Sequence, residues 1–171
     1  MKRIALLAIA AIAFAASSVA QKYALVDMEY ILKNIPSYEM ANEQLNQVSQ
    51  RWQKECDDKA AEAKTMYQNY QSDLVFLTEE MKVKREEEIR DKETEVVELR
   101  RKYFGPEGEL FKKRESLMKP IQDDIYNAIK KISEDKGYSM VIDRASSPNI
   151  IFASPKIDIS NEVLTKLGYS K

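Results

Sequence analysis

MYQNYQSDLVFLTEEMKVKREEEI, residues 66–89, is the stretch that decides the fold. Its first half gathers apolar side chains, and its second half is mostly charged. Thr78 can accept a hydrogen bond at the start of a helix, and Glu79 and Glu80 place negative charge where the helix dipole favours it. The stretch therefore predicts that one helix ends near Leu77, that another begins at Thr78, and that the chain reverses at 77–78.

A periodic stripe of apolar residues precedes the reversal. Its members follow one another at steps of three or four, with the mean spacing of about 3.6 residues that marks one face of an α-helix. They are Ala41, Leu45, Val48, Trp52, Cys56, Ala60, Ala63, Tyr67, Tyr70, Leu74 and Leu77. After the reversal, apolar residues recur every seven positions, as in a coiled-coil seam. These are Ile89, Val96, Tyr103, Leu110 and Leu117.

The two seams match each other when the chain is folded back at residues 77–78. Residue numbers that sum to about 155 then face one another, as in the pair of Trp52 and Tyr103. Five further pairs are apolar on both sides: Tyr38 with Leu117, Leu45 with Leu110, Cys56 with Leu99, Met66 with Ile89, and Leu74 with Met81. Residues 37–119 are therefore predicted to form an antiparallel helical hairpin, each arm roughly 60 Å long.

Two features interrupt the returning helix. Gly105, Pro106 and Gly108 cannot form a regular helix interior, because proline lacks a donor and glycine is a poor helix former. The sequence leaves open whether this break is a hinge or a kink without motion. Pro120 is predicted to bend or restart the helix.

Both ends of the chain contribute to a small head, residues 21–36 and 120–171. Three short apolar runs, 23–26, 138–142 and 150–153, predict strands, and Ser160 is the predicted N-cap of a closing helix that Gly168 ends. The fold class is thus α+β, mostly α. A head this small favours oligomerisation. The candidate association residues are Leu25, Val26, Val141, Ile142, Ile151 and Phe152.

The first 20 residues have the pattern of a secretory signal peptide. Lys2 and Arg3 precede an apolar run that is too short to span a bilayer, and small residues up to Ala20 provide a cleavage site before Gln21. The expected mature chain is exported, so its localisation is predicted to be periplasmic. It would carry 25 basic and 28 acidic side chains once Lys2 and Arg3 are removed.

Composition argues for binding rather than catalysis. The chain has no histidine and one cysteine, which excludes histidine-dependent catalysis, histidine-ligated metal sites and cysteine-rich zinc modules, and no cofactor, metal site or enzymatic activity is expected. Without a broad basic field, nucleic acid is not an expected partner. Cys56 lies on the apolar stripe and is interpreted as a small buried residue rather than a reactive thiol.

The tip of the hairpin is the candidate binding surface, because two helices alone cannot cover all of its apolar side chains. The candidate residues are Met66, Tyr67, Tyr70, Leu74, Val75, Phe76 and Leu77. The alternative is that these residues simply close the tip through their own seam.

The order of parts resembles the Skp (OmpH-like) family of periplasmic chaperones. The strand ending Val26-Asp27, the charged hairpin, the strand 140–143 (MVID) and the closing 158–164 (DISNEVL) carry the resemblance. It implies a homotrimer with three hairpins around a cavity, and ATP-independent holding of unfolded outer-membrane β-barrel proteins. Many relatives have basic arm tips, whereas residues 64–90 hold five basic and six acidic side chains, which leaves contact with membrane or lipopolysaccharide open. The alternative function is a coiled-coil envelope spacer or scaffold with one fixed partner.

Overall fold

The computed structural model describes residues 21–169, and within that range the chain forms two strands and five α-helices. In chain order they are β1 (Lys22–Val26), α1 (Met28–Lys33), α2 (Pro36–Asp73), α3 (Glu79–Phe104), α4 (Glu109–Lys136), β2 (Tyr138–Asp143) and α5 (Ser160–Lys166). The predicted signal peptide, residues 1–20, lies outside the described residues. Two compact units result: an arm unit, Ile35–Asp124, and a head unit made of the described residues of Met1–Asn34 and Ile125–Lys171.

The arm unit contains the predicted reversal. A short 3₁₀ turn, Leu74–Phe76, follows α2, and Leu77 is extended. Thr78 then accepts a hydrogen bond at Oγ1 from the backbone N–H of Met81, at 3.3 Å, and so caps α3 as predicted. The helical hairpin and its turning point are therefore confirmed.

Contacts between α2 and α3 establish the predicted register. The rings of Trp52 and Tyr103 are stacked, with centroids 4.7 Å apart and planes within 4° of parallel. Nearer the turning point, Lys59 Nζ forms an ion pair with Glu95 Oε1 at 3.5 Å. The residue numbers in each pair add up to 155 or 154, as the predicted fold-back requires. Residue numbers fall along α3 in the direction in which they rise along α2, so the two helices are antiparallel.

The apolar stripe lies in this seam with one exception. Ala41, Leu45, Cys56, Ala63 and Tyr70 of the outgoing helix are buried, and so are Ile89, Val96 and Tyr103 of the returning helix. Tyr67, however, is 51 % exposed, so its prediction as a seam residue was wrong. The seam advances by seven residues from Ala63 to Tyr70, and Tyr67 between them points to one side of it.

Two buried tyrosines cross the seam with a hydrogen bond to a glutamate. Tyr103 donates from Oη to Glu55 Oε2 at 2.9 Å, and Tyr70 donates from Oη to Glu86 Oε1. The hydrogen bond to Glu86, with burial, raises the pKa of Tyr70 to about 12, and Glu55 likewise raises the pKa of Tyr103. Only the neutral hydroxyl can donate, so both bonds favour the protonated tyrosine.

The break between α3 and α4 depends on close backbone approach. The N–H of Gly105 donates to Arg101 O at 2.9 Å, and that of Gly108 donates to Gly105 O at 2.9 Å. A Cβ atom on Gly105 would collide with the carbonyl oxygen of Arg101, and one on Gly108 would lie 2.8 Å from that of Tyr103. Both positions therefore require glycine for steric reasons, whether or not the break moves.

Helix α4 does not restart at Pro120, contrary to that part of the expectation. The proline lies inside an uninterrupted helix, Glu109–Lys136. One backbone hydrogen bond is lost there, but Ile121, next to the proline, and Ile125, one turn later, are buried. Their burial on the same helix offsets the lost bond.

In the head unit, β1 and β2 pair in parallel, with Ala24 opposite Val141 and Leu25 opposite Ile142. The predicted third strand at 150–153 is absent from the described residues, where this segment is irregular. The other edge of β1 is occupied instead by a later residue, because the N–H of Ile159 donates to Leu25 O at 2.9 Å. Pro148 and Pro155 bracket the irregular segment and have no N–H to give to a ladder.

The closing helix α5 differs from expectation at its start. Ser160 is its first helical residue rather than its N-cap. Its hydroxyl accepts from the backbone N–H of Asp27 at 2.8 Å and donates to Asp158 Oδ1 at 2.6 Å, so it joins the chain's two ends instead of capping the helix. Gly168 ends the helix with φ +86°, as predicted. Val163 is fully buried, as are Ile31 and Ile125.

The Tyr70–Glu86 bond predicts an alkaline limit to arm stability. Tyr70 ionises near pH 10 in the unfolded chain and near pH 12 in the folded one, so its contribution is complete below pH 10 and is lost as the pH rises towards 12. Replacing Tyr70 by Phe should remove the part of the alkaline loss of stability that comes from this bond. Urea unfolding of both proteins, followed by helix circular dichroism across this range, measures it.

Tyr67→Phe is the matched control, because this tyrosine is half exposed and lies off the seam. Its stability should fall with pH as steeply as that of the unsubstituted protein. If the free energy of unfolding fell equally steeply with pH in the unsubstituted protein and in Tyr70→Phe, the role assigned to the Tyr70–Glu86 bond would be contradicted.

Candidate functional site

The exposed apolar residues at the hairpin's turning point form the candidate site. Val75 and Phe76 are 83 % and 84 % exposed, and Tyr67 is half exposed. We call these three residues the apolar tip. Tyr67 lies in the last two turns of α2, and Val75 and Phe76 lie in the 3₁₀ turn that follows it. Large apolar groups left in water are a hallmark of binding surfaces.

The remaining candidates from this stretch are used by the hairpin itself. Tyr70 is buried and bonded to Glu86, while Met66, Leu74 and Leu77 are half-buried. The seam therefore covers one side of the stretch, and Tyr67, Val75 and Phe76 stay exposed.

Sequence reasoning missed exposed apolar residues on α3. Met81 is 49 % exposed although it was expected to pair with Leu74, and Val83 is 62 % exposed. The sequence contained a signal for this. Two residues separated by two positions point about 200° apart on a helix, so Met81 and Val83 cannot share one seam.

The break at Gly105–Gly108 is lined by charge of both signs. An open groove of about 570 Å³ runs beside it, with Arg101, Lys102 and Lys112 on its walls together with Glu98 and Glu107. Lys112 is paired with the neighbouring Glu109 at 3.1 Å. The predicted hinge residues therefore lie among charges of both signs, and these charges favour neither an anionic nor a cationic ligand.

The candidate association residues divide by burial. Leu25 and Val26 are covered inside the head unit, and Val141 and Ile142 are half-buried. Ile151 and Phe152 are 100 % and 84 % exposed in the irregular segment after β2. These last two are the members of the set whose side chains are available to another chain.

Carboxylates in the head unit serve the fold. Tyr30 N–H donates to Asp27 Oδ1 at 2.9 Å, and this bond, aided by Arg144 at 3.0 Å, lowers the pKa of Asp27. Burial alone would raise the pKa of Asp143, but hydrogen bonds, including one from Met28 N–H at 3.1 Å, outweigh it and lower the pKa. Both carboxylates are thus ionised structural acceptors.

Cys56 is fully buried, and burial raises the pKa of its thiol, which disfavours the reactive thiolate. Across residues 21–169, no three acidic or cysteine side chains are placed to hold a metal ion. Over the same range, no helix combines the length and apolar character needed to cross a membrane.

Comparisons with known proteins agree with this architecture. Residues 22–167 match the family model described as outer membrane protein (OmpH-like). The chaperone protein Skp of Vibrio cholerae serotype O1 is 25 % identical over 157 residues, which cover 87 % of this chain and 85 % of Skp. An OmpH-like protein from Caulobacter crescentus CB15 has a similar fold, with a TM-score of 0.69 at 10 % identity, covering 88 % of this chain and 86 % of that one.

The family match spans nearly all of the residues that the structure describes, and it confirms the resemblance carried by the strand ends and the closing helix. The chain belongs to the OmpH-like family of outer membrane proteins.

Proposed function

We propose that this protein is an ATP-independent holdase chaperone that binds unfolded outer-membrane proteins in the periplasm. The observation that carries the proposal is the apolar tip, where Val75 and Phe76 are more than four-fifths exposed at the end of a charged hairpin. The family relationship to a chaperone supports the same conclusion.

The apolar tip suits weak, nonspecific capture. Burying apolar surface is worth about 25 cal/mol per Å², so one or two side chains give only a few kcal/mol before the entropy of ordering the client is subtracted. Several such contacts hold an unfolded chain, while each is easily broken. Release then needs no nucleotide, because a client gains more by folding into the outer membrane.

A homotrimer would supply several tips around one client. Ile151 and Phe152 are exposed in the head unit, and among the described residues β2 pairs only with β1. Exposed apolar side chains and an unpaired strand edge in the same unit favour association with another copy. The predicted signal peptide supports export, which would place the assembly in the periplasm.

The break at Gly105–Gly108 is part of the proposal as a hinge that lets the arm adjust to clients of different size. Its backbone contacts support a defined, locally non-helical segment between α3 and α4. Substitution of its glycines by alanine is a poor test of motion, because the added methyl groups would collide with backbone carbonyls.

Replacing Val75 and Phe76 together by Ser should weaken protection of an unfolded β-barrel protein against aggregation. We expect the concentration needed for half-protection to rise about threefold to tenfold, because the tip loses most of its apolar surface. Light scattering after dilution of the client from urea, without nucleotide, measures it.

Met40→Ser is the matched control, since Met40 is 63 % exposed on α2 and lies far along the helix from the tip. It should protect as well as the unsubstituted protein. A spacer or scaffold with one fixed partner would not protect the client, with or without the substitutions. Equal protection by the unsubstituted protein and both variants would show that the apolar tip does not contribute to client binding.

Replacing Ile151 and Phe152 by Ser should convert a trimer to monomers. Sedimentation equilibrium of the mature chain measures the mass, and Tyr126→Ser is the control because Tyr126 is 66 % exposed in the same unit. A trimeric double variant would exclude these two residues from the interface. A monomeric unsubstituted protein would exclude the trimer.

A further inference from the structure

The predicted mature chain begins with a glutamine. Cleavage of the signal peptide after Ala20 would free the α-amino group of Gln21. The side chain of Gln21 is exposed, and Lys22, the first residue of β1, follows it directly. A glutamine at the start of a chain carries its own electrophile, because its α-amino nitrogen can attack the amide carbon of the same residue and close a five-membered ring.

The structure places a hydrogen-bond donor on the carbonyl group that would react. Tyr23 Oη donates to Gln21 Oε1, and both side chains are exposed. Residues two apart along an extended chain point to the same side, which is consistent with this contact. Attack on an amide carbon puts negative charge on the carbonyl oxygen, and a donor already aimed at that oxygen stabilises the charge.

Strand β1 depends on an intact N-terminus. It pairs with β2 along one edge, and on the other edge Leu25 O accepts from the N–H of Ile159 at 2.9 Å. Only Gln21 separates the predicted N-terminus from this strand, so an aminopeptidase that removed a few residues would shorten the strand. Aminopeptidases need a free α-amino group, and a cyclised glutamine has none.

We propose that Gln21 is a modification site, where the glutamine freed by signal-peptide cleavage cyclises to pyroglutamate with assistance from the Tyr23 hydroxyl. The α-amino nitrogen forms a bond to Cδ, and the bond from Cδ to Nε2 breaks. The proton that the amine loses leaves with Nε2 as ammonia, and Oε1 remains as the carbonyl oxygen of the ring. The reaction therefore needs neither an oxidant nor a co-reactant.

The modified chain loses one positive charge and has an N-terminus closed to aminopeptidases. This inference goes beyond the holdase function and shares with it only the predicted export. Loss of client protection would overturn the holdase without changing the mass of the chain, so the two proposals can fail separately.

Intact-mass spectrometry tests the modification on the protein expressed with its own residues 1–20 and purified from the periplasm. Over days at neutral pH, we expect the mass to approach that of residues 21–171 less one ammonia molecule. Gln21→Glu is the matched control, because a carboxylate is a much poorer electrophile, and its mass should remain that of the open chain. A chain that begins at another residue, or one that keeps the full mass from Gln21, would overturn the proposal.

Tyr23→Phe tests the assisting hydroxyl. The open fraction of the chain, followed after expression is induced, should disappear about threefold to tenfold more slowly, because one hydrogen bond to the reacting oxygen is lost. Tyr126→Phe removes the hydroxyl of another exposed tyrosine in the head unit and should leave the rate unchanged. Equal rates in Tyr23→Phe and the unsubstituted protein would overturn the role assigned to Tyr23.

Digestion with an aminopeptidase tests the consequence of ring closure. The enzyme should shorten the Gln21→Glu protein and leave the cyclised protein intact, as measured by mass. Shortening of both proteins, or of neither, would overturn the protective role.

Discussion

Apolar contact along a single seam holds α2 and α3 side by side, and the rest of the arm unit depends on it. Buried residues line both sides of the seam. The small residues Ala63 and Cys56 lie on α2, and Val96 and Tyr103 lie on α3. Stacking of Trp52 on Tyr103 fixes its register, and the Tyr70–Glu86 bond closes it near the turn. Ion pairs across the helices are exposed and add little by comparison.

A two-helix arm has a built-in consequence for function. Each helix can bury only the face that meets its partner, so apolar residues elsewhere stay in water unless something else covers them. Val75 and Phe76 at the turn, and Val83 and Val97 along α3, are such residues. In a globular domain a third layer would cover them. Here Val75 and Phe76 are the surface from which we infer binding of unfolded chains.

Helical periodicity made the hairpin predictable from sequence. The seam residues of α2 and α3 keep helical phase, with Tyr67 as the exception, and Thr78 with Glu79 marks the turning point, so the pair of Trp52 and Tyr103 could be assigned in advance. Exposure at the tip was only partly predictable. Tyr67 and Tyr70 both fit a helical stripe, and only the packed helices show that Tyr70 is bonded inside while Tyr67 points outwards.

The structure of the head unit was harder to predict from sequence, because short segments show little hydrophobic periodicity. Residues 150–153 are as apolar as a strand, yet the N–H of Ile159 occupies the available edge of β1. Ser160 has the composition of an N-cap but bonds across the chain to Asp27. In both cases a contact between residues more than 100 positions apart prevailed over local preference, and a local pattern cannot reveal such a contact.

The reversal of the arm can be measured directly by electron–electron distance spectroscopy. Spin labels on Gln53 and Arg101, or on Gln53 and Glu87, would be introduced in a Cys56→Ala background diluted with unlabelled chains. The hairpin places residue 101 beside residue 53 and residue 87 about 21 Å further along the arm, so the first pair should give the shorter distance. In one uninterrupted helix the order reverses, with about 72 Å for the first pair and about 51 Å for the second. That order would contradict the account.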